Sequence, residues 1–277
     1  MRGIRKLLAG ALCLALALAG CGKSDWVYRP LTDVEDLEGR RVGVNLAWEA
    51  DYLLTGRKDM ELFRYDDSGA MIMALSANKL DVVAMDELYW KMAQTVSEGL
   101  AKVEPSFTTA GYVCYVAKGR EDLLDEFNAF LHQEYLGSPD CERIRETRAA
   151  FDGENYQLAD TPLTGTGKTL RVAALINCYP RAFCRAGESL PVGFDVEPVK
   201  LFANARNYRV EFTGTVYEDM LMGMQNGMYD LAVGYLSECY RKDVEKTGVL
   251  MTDVFDTGEL YFVERTREKI VLHGDVA

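Results

Sequence analysis

Leu170-Arg171-Val172-Ala173-Ala174-Leu175 opens the stretch that decides the fold. An apolar run of this length, interrupted by one arginine, reads as a buried β-strand. After a loop, Val192-Gly193-Phe194-Asp195-Val196-Glu197 leads into Val199, Leu201, Phe202 and Ala205, whose spacing is helical. Tyr208-Arg209-Val210-Glu211-Phe212 alternates as a strand. Residues 219–225 give a further helical pattern that stops at Asn226-Gly227, and Tyr229-Asp230-Leu231-Ala232-Val233-Gly234 reads as another buried strand. Strand, helix, strand, helix, strand at this spacing predicts a parallel sheet with helices on its faces. The same grammar occurs earlier, in a strand pattern over 39–44, a helical one over 70–76, and Asn78-Lys79-Leu80-Asp81-Val82-Val83-Ala84. Two α/β units are therefore expected, each ending a helix at Asn-Gly or Asn-Lys before an apolar strand led by aspartate.

A chain of 277 residues can hold two lobes with separate cores. Its 48% apolar content excludes a disordered protein. The formal charge of −12 repels phosphate backbones, which argues against nucleic acid as a partner. Acidity says little more, since a solvated acidic surface accounts for it.

Arg2, Arg5 and Lys6 precede an apolar run over 7–19 that ends Leu18-Ala19-Gly20-Cys21. About thirteen apolar residues are too few to span a bilayer comfortably, so an export signal is preferred to a transmembrane anchor. The segment resembles a bacterial lipoprotein signal, which implies that residues 1–20 are removed and that Cys21 carries the lipid. Residues 21–32 then form a tether. The expected location is extracytoplasmic, with the membrane as a partner through that lipid.

Five further cysteines, Cys114, Cys141, Cys178, Cys184 and Cys239, cannot all pair within one chain and match no zinc spacing. Cys178 and Cys184 flank the loop after the first strand, either bridging it or standing as free thiols. Gly165-Thr166-Gly167-Lys168-Thr169 lacks the spacing of a phosphate loop and precedes a strand instead of following one. His132 falls in a helical pattern and His273 in a polar tail, so histidine chemistry has little to work with. No metal site or cofactor is expected.

Along the chain, Arg41-Val42-Gly43-Val44-Asn45 is a strand opening into the loop Leu46-Ala47-Trp48-Glu49-Ala50, and Glu61-Leu62-Phe63-Arg64-Tyr65 is another strand. The strand over 80–85 runs into Asp86-Glu87. Ligands of open parallel sheets sit at that strand edge; the alternative for Asp86 is to cap the helical pattern over 89–96. Ala110-Gly111-Tyr112-Val113-Cys114-Tyr115-Val116-Ala117-Lys118 is a long β-rich run. Two amphipathic helices follow over 123–135 and 139–151, the second with Ser138 as cap and Pro139 in its first turn. Residues 152–168 read as an exposed connection.

Residues 170–264 resemble the first lobe of the extracellular solute-binding proteins of polar-amino-acid ABC transporters. The likeness rests on the opening strand, Tyr179-Pro180, Val192-Gly193-Phe194-Asp195-Val196 and Met224-Gln225-Asn226-Gly227-Met228-Tyr229-Asp230-Leu231. Phe255 and Glu259-Leu260-Tyr261-Phe262-Val263 resemble that family's first crossing between lobes. Asp36-Leu37-Glu38-Gly39-Arg40-Arg41-Val42-Gly43-Val44 resembles the start of its second lobe, residues 74–86 its later strand with a terminal aspartate, and residues 114–151 its return strand and final helices. The likeness covers nearly all of residues 33–269. It implies an α/β, two-lobed type II periplasmic-binding-protein fold with a hinge.

The blocks stand in reversed order, so the resemblance implies a circular permutation, the alternative being two serial domains. Residues 33–111 would form the smaller lobe. Residues 112–267 would hold an intact hinge strand over 112–118, two packing helices and the larger lobe, with 268–277 a tail. The implied function is capture of a small polar solute, an amino acid or related amine, in the cleft between lobes for an ABC permease.

Family positions carry over as follows. Asp86 matches the acceptor for a ligand ammonium. Phe183 and Tyr217 match aromatic walls, and Ser237, Cys239 and Arg241 fall near a carboxylate clamp, with Lys242 at the strict spacing. Trp48 and Glu49 replace a loop of hydroxyl donors, and Tyr179 and Tyr235 offer further aromatic faces. Extra carboxylates with aromatic rings favour a cation, or a zwitterion with a basic tail. Rival readings are a sensor or receptor lipoprotein, a non-binding structural lipoprotein, and an enzyme using Asp86 and Glu49, which no activated nucleophile supports.

Overall fold

The computed structural model describes residues 31–266. The expected signal, Cys21, all but the end of the tether, and the tail lie outside them. The chain runs β1 (Arg41–Asn45), α1 (Glu49–Leu54), β2 (Glu61–Tyr65), α2 (Ser68–Ser76), β3 (Val82–Asp86), α3 (Glu87–Val96), β4 (Leu100–Lys102), β5 (Thr108–Tyr112) and β6 (Tyr115–Val116). Next come α4 (Glu121–Phe130), which continues as a wider turn through Leu131–Tyr135, and α5 (Pro139–Ala149). The rest comprises β7 (Thr169–Leu175), β8 (Asn177–Cys178), β9 (Ala182–Cys184), β10 (Pro191–Val192), α6 (Val196–Ala205), β11 (Arg209–Thr215), α7 (Tyr217–Gln225), β12 (Leu231–Val233), α8 (Arg241–Glu245), β13 (Leu250–Met251) and β14 (Asp256–Arg265).

Two sheets organise these elements into the two-lobed α/β fold that the sequence implies. The first has the order β2-β1-β3-β14-β4, with β5 also on β14. The second has the order β11-β7-β12-β6-β13. In each, three parallel strands are followed by an antiparallel strand that comes from the far side of a crossing: β14 beside β3 in one, β6 beside β12 in the other. A third, small antiparallel sheet, β10-β9-β8, packs against β7 in the second lobe.

The two parallel units share a corner built the same way. Arg41 opens β1, and its backbone N–H and guanidinium donate to Asp81 just before β3, at 2.9, 3.0 and 2.7 Å. Arg171, near the start of β7, does the same to Asp230 just before β12, at 3.0, 2.9 and 2.8 Å. A two-pronged guanidinium–carboxylate contact fixes direction as well as distance, so each aspartate sets the register between its strand and the neighbouring one. This explains the Asp-led strands seen in both units.

Apolar strands put both faces into cores. Val42, Val44, Leu75, Val83 and Phe262 are buried in the first lobe, and Phe127, Val172, Phe202, Leu231 and Val233 in the second. Phe127 packs on Phe202 with ring centroids 4.6 Å apart, which seats α4 on the second lobe. Each such fully buried side chain contributes roughly 1.5–3 kcal/mol.

Three expectations need correction. The β-rich run over 110–118 is not one hinge strand. Tyr112 ends β5 on β14 in the first sheet, whereas Tyr115 and Val116 pair in the second, with Val113 and Cys114 between. The chain changes sheets over Val113 and Cys114, and the ladder pairing breaks there. The segment 112–267 also does not stay in one lobe, because β14 returns to the first sheet. Residues 152–168 are not simply exposed: Leu158 is buried, the Thr161 N–H donates to Glu197, and Gly165 lies against the Tyr208 backbone. All five cysteines in the described residues are free, so Cys178 and Cys184 form no bridge. No helix among the described residues is long and apolar enough to cross a membrane.

Candidate functional site

Both crossings and the C-terminal ends of β3 and β12 meet between the lobes. Asp86 ends β3, is 2% exposed, and is already engaged there. Its Oδ1 accepts from the Tyr89 N–H at 2.9 Å, so it caps α3. Its Oδ2 lies 3.4 Å from the Tyr112 hydroxyl and 3.6 Å from the Nε of Arg181.

Arg181 is the residue that sequence reasoning missed. It sits between the small-sheet strands β8 and β9 and is 1% exposed. Its guanidinium donates to Asp195 at 3.0 Å, lies 3.7 Å from Asp256, and stacks on the Tyr112 ring at 3.5 Å. Burial opposes its charge, but the Tyr112 phenol with Asp195, Asp86 and Asp256 outweighs that and keeps it protonated. The available signal was a basic residue inside the otherwise apolar run between Cys178 and Cys184.

Asp195 uses its second oxygen to accept from the Tyr235 N–H at 2.7 Å. Tyr235 has a φ of +54°, a left-handed conformation that costs energy in a residue with a Cβ. That bond helps hold it there. The turn puts the Tyr235 ring among Trp48 at 4.7 Å, Tyr112 at 5.6 Å and Tyr89 at 5.9 Å.

Beside this cluster lies a cavity of about 260 Å³, walled by both lobes. Leu46, Ala47, Trp48 and Asp66 come from the first lobe, and Tyr115 from the crossing. Leu175, Asn177, Cys178, Tyr217, Glu218, Tyr235, Leu236 and Tyr240 come from the second. The lobes touch across it: the Tyr240 hydroxyl donates to the Ala47 carbonyl at 2.9 Å, and the Tyr52 hydroxyl to Asp243 at 3.3 Å. Glu49, next to Trp48, is 1% exposed, and its Oε1 has no hydrogen-bond partner among the described residues. Burial pushes its carboxyl from 4.5 up to about 7; its own backbone N–H works against that, the Asp86 charge adds to it, and Arg181 and Tyr235 oppose it.

The structure therefore divides the expected site residues. Trp48, Tyr217 and Tyr235 line the cavity, whereas Glu49, next to Trp48, is buried and does not line it. Asp86 is turned to Arg181 and the α3 cap. Tyr179 and Phe183 do not line the cavity: their rings pack together at 4.7 Å under Phe151 and Tyr156. Ser237 caps the turn at Cys239, whose thiol burial pushes up to about 11. Arg241 donates to the Met251 and Thr252 carbonyls at 3.4 and 3.1 Å, and neither it nor Lys242 lines the cavity. A clamp counted from sequence spacing fails because α8 turns that side chain toward β13. Tyr115, Tyr240, Asp66 and Glu218 line the cavity although their sequence contexts single none of them out.

No family model matches the chain, and no curated protein matches it. Among solved structures, oxidised OxyR of Corynebacterium glutamicum is similar at TM-score 0.46 and 12% identity, over 96% of this chain and 68% of that one. The ligand-binding component of an ABC-type import system from Staphylococcus aureus has TM-score 0.42 and 10% identity, over 83% and 66%. A mutant of ArgBP from T. maritima has TM-score 0.38 and 15% identity, over 84% and 83%. These scores lie below 0.5, so the fold rests on the strand order and register above.

Proposed function

We propose that this chain is a lipid-anchored extracytoplasmic binding protein that closes its two lobes on a small polar solute, an amine or amino acid, and presents it to an ABC importer. The observation that carries the reading is the cavity of about 260 Å³ walled by residues of both lobes. A ligand that touches both lobes favours the closed form by its differential affinity. The anchor rests on the Leu18-Ala19-Gly20-Cys21 segment.

Permutation is part of this proposal. The start of β1 and the end of β14 both flank the start of β3, as the pairings Val42 to Val82 and Val263 to Val83 require. Two strand spacings separate them, about 10 Å, so a short link would join the ends in the family's order.

One observation favours a second reading, a lipoprotein that keeps the fold without the ligand: Arg181 occupies the carboxylate of Asp86, the acceptor expected for a ligand ammonium. The enzyme reading is weaker. Burial pushes the Glu49 carboxyl up to about 7, the range a general base needs, but Asp86, its intended partner, is committed to Arg181 and the Tyr89 N–H. Native mass spectrometry of protein purified without denaturation tests the proposal. A discrete small-molecule adduct, lost on unfolding, is expected; bare protein, together with no thermal shift from any amine or amino acid tried, would favour the second reading.

A further inference from the structure

We propose that the cavity selects a small organic cation that carries no carboxylate, and that Glu49 is its counter-charge. This rests on the solute-binding reading above and narrows it.

The first observation is the unequal treatment of buried carboxylates between the lobes. Asp86, Asp195 and Asp256 each have a cationic partner, in Arg181 for all three and also in Arg148 at 2.8 Å for Asp256. Glu49 is equally dry, yet its Oε1 has no partner among the described residues. A buried polar atom left without a partner is costly, and in native proteins it calls for an explanation such as a group that arrives later.

The wall of the cavity is the second observation, and it is independent of Glu49. Trp48, Tyr115, Tyr217, Tyr235 and Tyr240 present aromatic surface from both lobes and the crossing. Ring faces attract a cation, most strongly when it is desolvated. Among the described residues, the ionisable ones that line the space, Asp66 and Glu218 among them, include no Lys, Arg or His. An α-carboxylate brought in by an amino acid would find no cation, because Arg181 is enclosed by its aspartates and Arg241 is bound to backbone carbonyls.

Glu49 is close enough for its charge to act on the lining residues Tyr115, Cys178, Tyr235 and Tyr240. The other ionisable groups facing it are Asp86 and Tyr89 from β3 and α3, Tyr112 from β5, Arg181 from the small sheet, and Cys239 after β12. Burial pushes the phenols and thiols in this set upward, with Cys178 at about 12 and Cys239 at about 11, so they stay neutral through the physiological range. Asp86 and Arg181 form a pair of their own. Asp66 and Glu218 are exposed to solvent, so Glu49 is the buried carboxylate left to answer an incoming cation: it releases its proton to solvent as the cation enters, and the buried charge stays balanced.

The test is calorimetric titration of the full folded protein with three molecules of similar shape: choline, glycine betaine, which adds a carboxylate, and uncharged 3,3-dimethylbutan-1-ol. Choline should bind at least tenfold tighter than either analogue. Its affinity should rise about tenfold from pH 6 to pH 8, as proton linkage to one group titrating near 7 requires. Titration in buffers of different ionisation enthalpy should show proton release at pH 6. Glu49→Gln should weaken choline binding at pH 8 and abolish both the pH dependence and the proton release. A thermal melt at each pH confirms that this variant is folded. Equal or tighter binding of betaine, or choline binding unchanged in Glu49→Gln, overturns the inference and leaves the solute-binding reading standing. Absence of binding by these three and by every amino acid defeats both.

Discussion

Two acidic regions lie side by side between the lobes, and they are handled oppositely. Around Arg181, three carboxylates share one guanidinium: Asp86 accepts from the Tyr89 N–H and the Tyr112 hydroxyl, Asp195 from the Tyr235 N–H and Arg181, and Asp256 pairs with Arg148. The Arg181 Nε makes an ion pair with Asp86 without a hydrogen bond. Next to Trp48, Glu49 is as deeply buried, but its Oε1 has no hydrogen-bond partner among the described residues. The first arrangement ties together the first lobe, the second lobe and the β14 crossing. The second leaves one buried carboxylate oxygen unpartnered. The difference teaches that Asp86, which strand-edge reasoning singles out as a ligand acceptor, is held by an internal arginine, whereas the carboxylate oxygen left unpartnered belongs to Glu49 at the start of α1.

The largest effect is expected from breaking the paired region. Arg181→Met would leave three buried carboxylates facing one another without their shared cation. Removing one side of a buried ion pair costs about 3–5 kcal/mol, which lowers a melt by about 10 °C in a chain of this size. A melting temperature within 2 °C of the unchanged protein would show that Arg181 does not hold the lobes together.

A smaller effect, of opposite sign, should come from Glu49→Gln. The Glu49 carboxyl is raised from 4.5 to about 7 on folding. Its contribution to stability is therefore full below pH 4.5, declines as pH rises between 4.5 and 7, and is gone above 7. The amide lacks that decline. The variant should gain relative to the parent as pH rises, reaching on the order of 3 kcal/mol by pH 8. Urea melts of both proteins at pH 5 and pH 8 read this directly, and a difference independent of pH would mean that Glu49 is not the titrating group.

The smallest effect is expected at Asp86. Reading the residue as a ligand contact predicts that Asp86→Ala spares folding. The structure predicts otherwise, because the change removes a cap, worth about 1 kcal/mol, and one of three partners of Arg181, while Asp195 and Asp256 remain. A loss of about 1–2 kcal/mol without ligand is expected in a denaturant melt. An unaltered melt would return Asp86 to the role of ligand acceptor.

Strand existence was legible because apolar runs such as 170–175 and 82–86 have to be buried on both faces, and burial is written into composition. The two Asp-led strands were legible for a related reason, since a polar residue at that point needs a fixed partner nearby. The cavity was only half legible. Trp48, Tyr217 and Tyr235 stand out as large rings in loops or at helix starts, but Tyr115 and Tyr240 look like any core tyrosine until a second lobe is placed against them.

By itself, then, the sequence determined the two α/β units, their parallel strands, and the acidic, aromatic character of the loops after them, because periodicity and composition act over a few residues. Only the tertiary structure decided which carboxylate is spoken for. Asp86, Asp195 and Asp256 are separated along the chain by far more than any local motif, and one guanidinium gathers all three only after both crossings have formed. Pairing of buried charge depends on distances of a few ångströms between segments remote in sequence, and those distances exist nowhere but in the folded chain.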